Sequence, residues 1–160
     1  SHDIDVHRWL ANEDPEEVYC VGQAFFPEIK AMGDYDVVVI VLKFPSGITG
    51  TIDLMRNATY GYDQRIEVLG SKGMVQANNK PMTTHVLSNE SGVLSDTINY
   101  SFGDRYPDAY KGEIEHFVEI LRDPSTPLRV THQDVRRTGL IADAADESAR
   151  TGKPVKLVYE

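Results

Sequence analysis

The sequence predicts an α+β fold, a largely antiparallel, open β-sheet with helices packed on one of its faces. Between residues 17 and 100, segments rich in Val, Ile, Tyr and Phe alternate with short turns that contain glycine, proline or asparagine. Such a pattern is typical of antiparallel strands joined by hairpins. From Tyr110 onward the apolar residues recur with a period of about 3.6, which indicates helices. We therefore expect residues 1–160 to form one α+β domain.

A helix followed by a series of strands is expected in the first hundred residues. Residues 3–12 are predicted to be helical, and a cluster of turn-forming residues ends this helix. Its predicted apolar side carries Val6, Trp9 and Leu10. The predicted strands cover residues 17–26, 35–44, 48–55, 64–69, 74–77, 82–88 and 93–100. Because short turns separate neighbouring strands, a meander is favoured.

Two helices and a last strand are expected in the C-terminal part. The first helix has an apolar stripe, and Asp108 is placed to cap its start. The stripe consists of Tyr110, Ile114, Phe117, Val118 and Leu121. The second helix covers residues 132–151, and Thr131 with Asp134 has the pattern of a capping box. Gly152 ends it, and residues 155–159 are predicted to form the last strand.

The second of these helices has a buried stripe made mostly of small residues, which lets it lie close against a sheet. This predicted stripe consists of Val135, Ala142, Ala145 and Ala149. By contrast, residues 37–42 are apolar at every position, which is typical of a strand buried on both faces. The predicted helices suffice for one face. We expect a partner subunit, or a further part of the protein, to cover the other.

The composition excludes several classes of function. The 160 residues include 16 Lys plus Arg and 25 Asp plus Glu, for a formal charge of -9. This charge argues against nucleic acid and membrane partners, and no apolar run approaches the ~20 residues of a membrane helix. The one cysteine, Cys20, lies in a predicted strand, so we expect a core residue and a cytoplasmic location.

Motifs for metal or nucleotide binding are absent from the sequence. The five histidines do not pair at zinc-binding spacings, so we expect no metal site. Neither G-x-G-x-x-G nor the P-loop pattern occurs. Residues 70–73 superficially suggest a phosphate loop, but they lie between two predicted strands and are better explained as a hairpin turn.

The first candidate site is the start of the first helix. His2 and Asp5 lie three residues apart and Asp3 and His7 lie four apart, so each pair shares a helical face. A histidine beside a carboxylate is a common arrangement for proton transfer near neutral pH. The alternative is that the two aspartates only stabilise the first turn through the helix dipole.

The second candidate site follows the third predicted strand. Asn57, Tyr60 and Tyr62 are suited to binding a polyol, although an aromatic loop packed on a sheet is an equally good explanation. Arg105 and Tyr110 precede and open a helix, so they also could line a cleft. Core packing is the alternative for Tyr110, because it begins an apolar stripe.

Several short motifs follow one another along the chain. They are His2-Asp3-Ile4-Asp5, Arg8-Trp9-Leu10, Tyr60-Gly61-Tyr62-Asp63, Glu67-Val68-Leu69-Gly70 with Gly73, and Tyr110 with Glu113 and Phe117. In this order and spacing they resemble the C-terminal domain of the glucose-fructose oxidoreductase, inositol dehydrogenase and rhizopine catabolism (Gfo/Idh/MocA) family. The resemblance covers nearly the whole chain, and the Tyr-Gly-Tyr-Asp stretch is most similar to the myo-inositol 2-dehydrogenase branch.

The resemblance implies the substrate-binding, oligomer-forming half of an NAD(P)-dependent oxidoreductase that acts on a polyol or sugar, with myo-inositol as the expected substrate. It implies that His2 is the catalytic histidine and that Asp5 accepts a substrate hydroxyl. By position it adds Asn57, Tyr60, Tyr62, Arg105 and Tyr110 to the substrate site.

Members of the family place a Rossmann domain, which binds NAD or NADP and carries the catalytic lysine, before a domain of this kind. An upstream aspartate completes the catalytic set in the dehydrogenases. We therefore expect no cofactor-binding residues in this chain and no activity from the chain alone. The resemblance also implies a homodimer or homotetramer formed through the open sheet face.

Two alternatives remain. The chain could be a non-catalytic binding or scaffold module that kept the fold, although the presence of His2 with Asp5 favours an enzyme. It could also act on another sugar, a diketone or a nucleotide sugar, with Arg105 binding an anionic group.

Overall fold

The computed structural model describes residues 1–159, which divide into two units. The first unit contains residues 1–57 and the chain from Leu128 onward, and the second contains residues 58–127. Mixed helices and antiparallel sheet confirm the predicted fold class. No helix of the described chain is both long enough and apolar enough to cross a membrane.

The first unit is built on a four-stranded antiparallel sheet. Its strands are β1 (Glu17–Gln23), β2 (Val37–Lys43), β3 (Thr49–Met55) and β8 (Val155–Lys156), in the spatial order β3-β2-β1-β8. The register pairs Cys20 with Ile40 and Ile40 with Ile52, so these three side chains share a face. A short helix that the sequence pattern did not predict, α2 (Pro27–Ala31), lies between β1 and β2.

Two helices of the first unit, α1 (His2–Ala11) and α5 (His132–Thr151), contact one face of this sheet. The core between them consists of Ile4, Val18, Cys20, Ile40, Leu42, Phe44, Ile52, Ile141, Ala144 and Ala145. A hydrogen bond from the Cys20 backbone N–H to Ser148 Oγ, 2.9 Å long, holds α5 against β1. Cys20 is a buried core residue, as expected, and burial raises the pKa of its thiol.

The ends of α5 agree with the prediction. Thr131 and Asp134 form the capping box, and Gly152 ends the helix at a φ of 68°. The predicted buried stripe is partly wrong, because Val135 is 64% exposed. The side chains that α5 buries are Thr138, Ile141, Ala144, Ala145 and Ser148.

The buried side of α1 also differs from the prediction. Ile4 and Arg8 are buried, whereas Trp9 is 77% and Leu10 44% exposed. The reason is electrostatic: the carboxylates that surround Arg8 compensate its charge, so a charged side chain turns inward and the indole stays outside.

The second unit contains two hairpins and two helices. Strand β4 (Ile66–Gly70) pairs with β5 (Gly73–Ala77), and β6 (Val86–Asn89) pairs with β7 (Gly92–Ser95). The helices are α3 (Phe102–Arg105), which was not predicted, and α4 (Pro107–Arg122). The segment 70–73 is a hairpin turn, as expected.

Helix α4 begins one residue before Asp108, so the predicted cap is wrong. Tyr106 is the N-cap, Pro107 is the first helical residue and Asp108 lies in the first turn, where its charge favours the helix dipole. Most of the predicted apolar stripe of α4 is exposed, as Ile114 and Phe117 show, and Val118 is half-buried.

The opposite face of the four-stranded sheet is apolar and open to solvent. Tyr19, Val21, Val39 and Met55 are between 37% and 53% exposed there. Within the described chain, β2 is therefore buried on one side only. Burial on its other side, as predicted, would need an additional element to cover that face.

Candidate active site

The histidine and carboxylates of the first candidate site lie on the first two turns of α1. His2 is the first helical residue and is exposed, while Asp3 and Asp5 place negative charge at the positive end of the helix dipole. His2 is therefore accessible to a small molecule at the N-terminal end of α1.

The His7 side chain contacts the backbone of Asp3. Its Nδ1 lies 2.7 Å from the carbonyl oxygen of Asp3. Because a carbonyl only accepts, Nδ1 is the donor in this hydrogen bond. The ring lies against β3 at Gly50, where a Cβ would come within 2.5 Å of His7 Cδ2. Glycine at this position lets α1 approach the sheet.

Asp5 is held from two sides. Its Oδ1 accepts a 2.9 Å hydrogen bond from Arg8 and a 3.1 Å hydrogen bond from the Thr138 hydroxyl. The side chain of Asp5 is nevertheless 40% exposed. The carboxylate is thus both oriented by its neighbours and accessible to a ligand.

Arg8 organises this region, a role that the sequence pattern did not predict. Only 7% of its side chain is exposed, and it forms ion pairs with Asp5, Asp14 and Asp134 at 2.9, 2.7 and 3.4 Å. Burial alone would lower the pKa of Arg8, but hydrogen bonds and charge interactions with these carboxylates outweigh burial and raise the pKa. The only sequence signal was an arginine among apolar residues with aspartates at helical spacing.

A cavity of about 480 Å³ opens beside Asp5 and Arg8. Residues of α1, the segment that follows it and the start of α5 line it, among them Trp9, Asn12 and Arg137. The first unit therefore presents a polar concavity next to the proposed substrate-binding carboxylate.

In the second unit, the loop after Ala58 is organised by Asp63. Its carboxylate accepts hydrogen bonds from Arg65 at 2.7 and 2.9 Å, from the Tyr60 hydroxyl and from Asn79. The hydrogen bond from Arg65, together with those from Tyr60 and Asn79, holds the pKa of Asp63 far below its ordinary value although burial opposes it.

Tyr62 and Tyr110 belong to an aromatic cluster. The Tyr62 ring packs edge-on against Phe102 and Tyr106, with centroids 6.5 and 6.2 Å apart, and Phe102 lies 6.4 Å from Tyr110. This supports the packing explanation for Tyr62, which is half-buried, while Tyr110 is 47% exposed. Gly61 is required between the tyrosines, because its φ is 132° and a Cβ would lie 2.4 Å from Ile98.

Arg105 and Asn57 complete the predicted set. The Arg105 guanidinium stacks 4.8 Å from the centroid of the Tyr106 ring and reaches the Asn78 carbonyl at 3.4 Å. Asn57 follows β3 and is exposed. His2, Asp5 and Asn57 belong to the first unit, and Tyr60, Tyr62, Arg105 and Tyr110 to the second. That the two groups line one cleft stays a prediction.

The described residues form strand pairs of one orientation. Every strand pair among them is antiparallel, so they contain no βαβ unit whose helix could hold a pyrophosphate. Residues 1–159 also contain no group of three or more His, Cys, Asp or Glu side chains that could hold a metal ion.

Comparison with known proteins identifies the family. Residues 1–76 match the GFO/IDH/MocA C-terminal domain model. The chain is 41% identical over 157 residues to a myo-inositol 2-dehydrogenase of Thermotoga maritima, covering 98% of this chain and 47% of that protein. It is 31% identical to a scyllo-inositol 2-dehydrogenase (NAD(+)) of Bacillus subtilis, covering 98% of this chain and 45% of that protein.

Solved structures agree. A probable dehydrogenase from Thermotoga maritima superposes with a TM-score of 0.92 at 40% identity, covering 97% of this chain and 46% of that chain. A putative myo-inositol dehydrogenase from Sinorhizobium meliloti superposes with a TM-score of 0.94 at 34% identity, covering 98% of this chain and 48% of that chain. The chain belongs to the GFO/IDH/MocA C-terminal domain family. It is similar to the inositol 2-dehydrogenases and spans about half the length of these relatives.

Proposed function

We propose that this chain is the substrate-binding half of an NAD-dependent dehydrogenase that oxidises a polyol, with myo-inositol as the first candidate. The observation that carries the proposal is the start of α1, where exposed His2 is followed one turn later by the oriented Asp5. The similarity to inositol 2-dehydrogenases supports it.

His2 is the proposed proton acceptor. Oxidation of a secondary alcohol breaks the C–H bond with departure of hydride and the O–H bond with departure of a proton. An imidazole nitrogen within hydrogen-bond reach of the hydroxyl takes the proton, and the nicotinamide, held outside this chain, supplies the hydride acceptor.

Asp5 and the loop residues are proposed to bind the remaining hydroxyls. A polyol needs a paired group for each buried hydroxyl, because an unmatched one costs about 1–3 kcal/mol. Asp5 and the Tyr60 oxygen are acceptors, whereas Asn57 and Arg105 can donate. Tyr62 and Tyr110 would contribute an aromatic wall.

The test is His2→Ala in the full-length enzyme, assayed by NADH formation from myo-inositol. We expect kcat to fall by roughly 10² to 10⁴, the usual contribution of general acid-base catalysis. His85→Ala, which removes an exposed histidine of the second unit, is the matched control and should leave turnover near the wild-type value. Wild-type turnover in His2→Ala would instead support a helix-stabilising role or a non-catalytic module.

We also propose that the exposed sheet face forms a homodimer or homotetramer. Neighbouring apolar side chains support this, since Val21 pairs with Val39 and both are exposed. Light scattering of the full-length protein should show an oligomer that Val39→Lys dissociates. Val75→Lys, at an exposed valine of β5, is the control. An oligomer unchanged by Val39→Lys would refute this interface.

The buried, unpaired thiol of Cys20 supports a cytoplasmic location.

A further inference from the structure

We propose that Thr138 is a positioning residue for the substrate, because its hydroxyl fixes the orientation of the Asp5 carboxylate. The inference rests on the proposed function, in which Asp5 accepts a polyol hydroxyl. Thr138 lies in the second turn of α5, far along the chain from α1, and only 7% of it is exposed. It therefore cannot reach solvent freely, and its hydroxyl must find partners inside the first unit.

The direction of both hydrogen bonds of Thr138 follows from the partners. Its Oγ1 lies 3.2 Å from Arg8 Nη1 and 3.1 Å from Asp5 Oδ1. A guanidinium only donates and an ionised carboxylate only accepts, so the hydroxyl accepts from Arg8 and donates to Asp5. Its hydrogen thus has one position, and the chain of bonds from Arg8 through Thr138 to Asp5 is polarised in one direction.

The two hydrogen bonds that Asp5 accepts from Arg8 and Thr138 end on the same oxygen. Arg8 and Thr138 each donate to Oδ1. Rotation about the last bond of an aspartate is soft, so without such anchors the two oxygens would exchange readily. Because both donors bind Oδ1 and the side chain is 40% exposed, Oδ2 is the oxygen proposed to accept from a ligand hydroxyl.

The bond from Thr138 is a direct link between the Asp5 carboxylate and α5, which packs on β1 of the central sheet. Arg8 also contacts α5, through the carbonyl oxygen of Asp134 at 3.1 Å and its carboxylate at 3.4 Å. The link from Arg8 to Asp5, however, is an ion pair within α1, between residues three apart. Thr138 therefore adds to this ion pair a hydrogen bond that holds the Asp5 carboxylate directly to α5.

Packing does not explain a threonine here. Valine has the same branched shape, and the nearby buried side chain Ile141 is aliphatic. A buried hydroxyl costs free energy unless it is hydrogen-bonded, so its presence is explained by the two bonds that it forms.

The experiment compares Thr138→Val, which keeps the shape, with Thr138→Ser, which keeps the hydroxyl, in the full-length enzyme. For Thr138→Val we expect kcat/KM for myo-inositol to fall about tenfold, the effect of one hydrogen bond to a charged group, with the KM for NAD unchanged. Thr138→Ser should restore most of the loss. Thermal unfolding of both variants measures any change in stability separately.

A double-mutant cycle with Asp5→Asn supplies the decisive readout. If Thr138 acts through Asp5, then Thr138→Val should lower kcat/KM much less in the Asp5→Asn background than in the wild type. An equal loss in both backgrounds, or a lower melting temperature with an unchanged kcat/KM, would overturn the inference while the proposed function stands. A wild-type enzyme without polyol oxidation would overturn both.

Discussion

The two units of this chain are stabilised in different ways. In the first unit, apolar side chains of β1, β2, β3, α1 and α5 form a closed core. In the second unit, whose residues 58–127 are all described, Gly61 is the one buried residue. Apolar burial is the main favourable term in folding, and isolated two-stranded hairpins are at best marginally stable in water. The first unit therefore has a core of its own, and the second depends on hairpin hydrogen bonds, aromatic contacts and polar clusters.

The polar clusters of the two units also differ in how deeply they are buried. Arg8, with 7% of its side chain exposed, is surrounded by carboxylates. Asp63 is 13% exposed, but its guanidinium partner, Arg65, is 62% exposed. Removing one member of a buried ion pair leaves uncompensated charge, whereas a pair whose cation lies in solvent contributes less. The same chemistry thus has different consequences in the two units, because burial differs.

The largest expected difference between the units concerns apolar side chains. Leu42 is fully buried, so Leu42→Ala should lower the free energy of unfolding by about 2–5 kcal/mol. Val75 is 71% exposed, so Val75→Ala should change it by no more than about 0.5 kcal/mol. Urea titrations of both variants measure the contrast. Equal losses of unfolding free energy in the two variants would contradict this difference, because they would show that the Val75 side chain is part of a buried core.

A smaller difference is expected for the two arginines. Arg8→Met should destabilise the protein by about 3 kcal/mol, the low end for a buried pair, because the carboxylates of Asp5 and Asp134 reach solvent. Arg65→Met should cost at most about 1 kcal/mol. Thermal and urea unfolding would compare them, and a near-neutral Arg8→Met would mean that methionine packing fully replaces the ion pairs.

The smallest effect is a local dependence on acid in the loop around Asp63. Because the folded state lowers the pKa of Asp63, its stabilisation is complete above the unfolded value of about 3.9 and is lost as the pH falls toward the folded pKa. The amide protection factors of residues 60–65, measured by NMR from pH 6 downward, should therefore fall below about pH 4 in the wild type. In Asp63→Asn these protection factors should be low throughout and change little with pH from this source. Matching profiles would refute the role of Asp63.

Local signals account for the elements that the sequence predicted well. Helix α5 begins and ends where expected, since a capping box and a glycine with positive φ depend only on neighbouring residues. The turn at residues 70–73 is equally local. Asp108 was misplaced as a cap, because Tyr106 and Pro107 define the start of α4. Helix α3 is a single short turn and leaves no periodic pattern to detect.

The sequence by itself determined the α+β class, the strands of the central sheet, the family and the candidate residues from His2 to Tyr110. Only the tertiary structure decided that Arg8 is buried while Trp9 is exposed, and that Thr138 meets Asp5. The reason is physical: periodicity shows which residues share a helical face, but which face is buried depends on partners from distant parts of the chain. A charge is buried only where such partners compensate it.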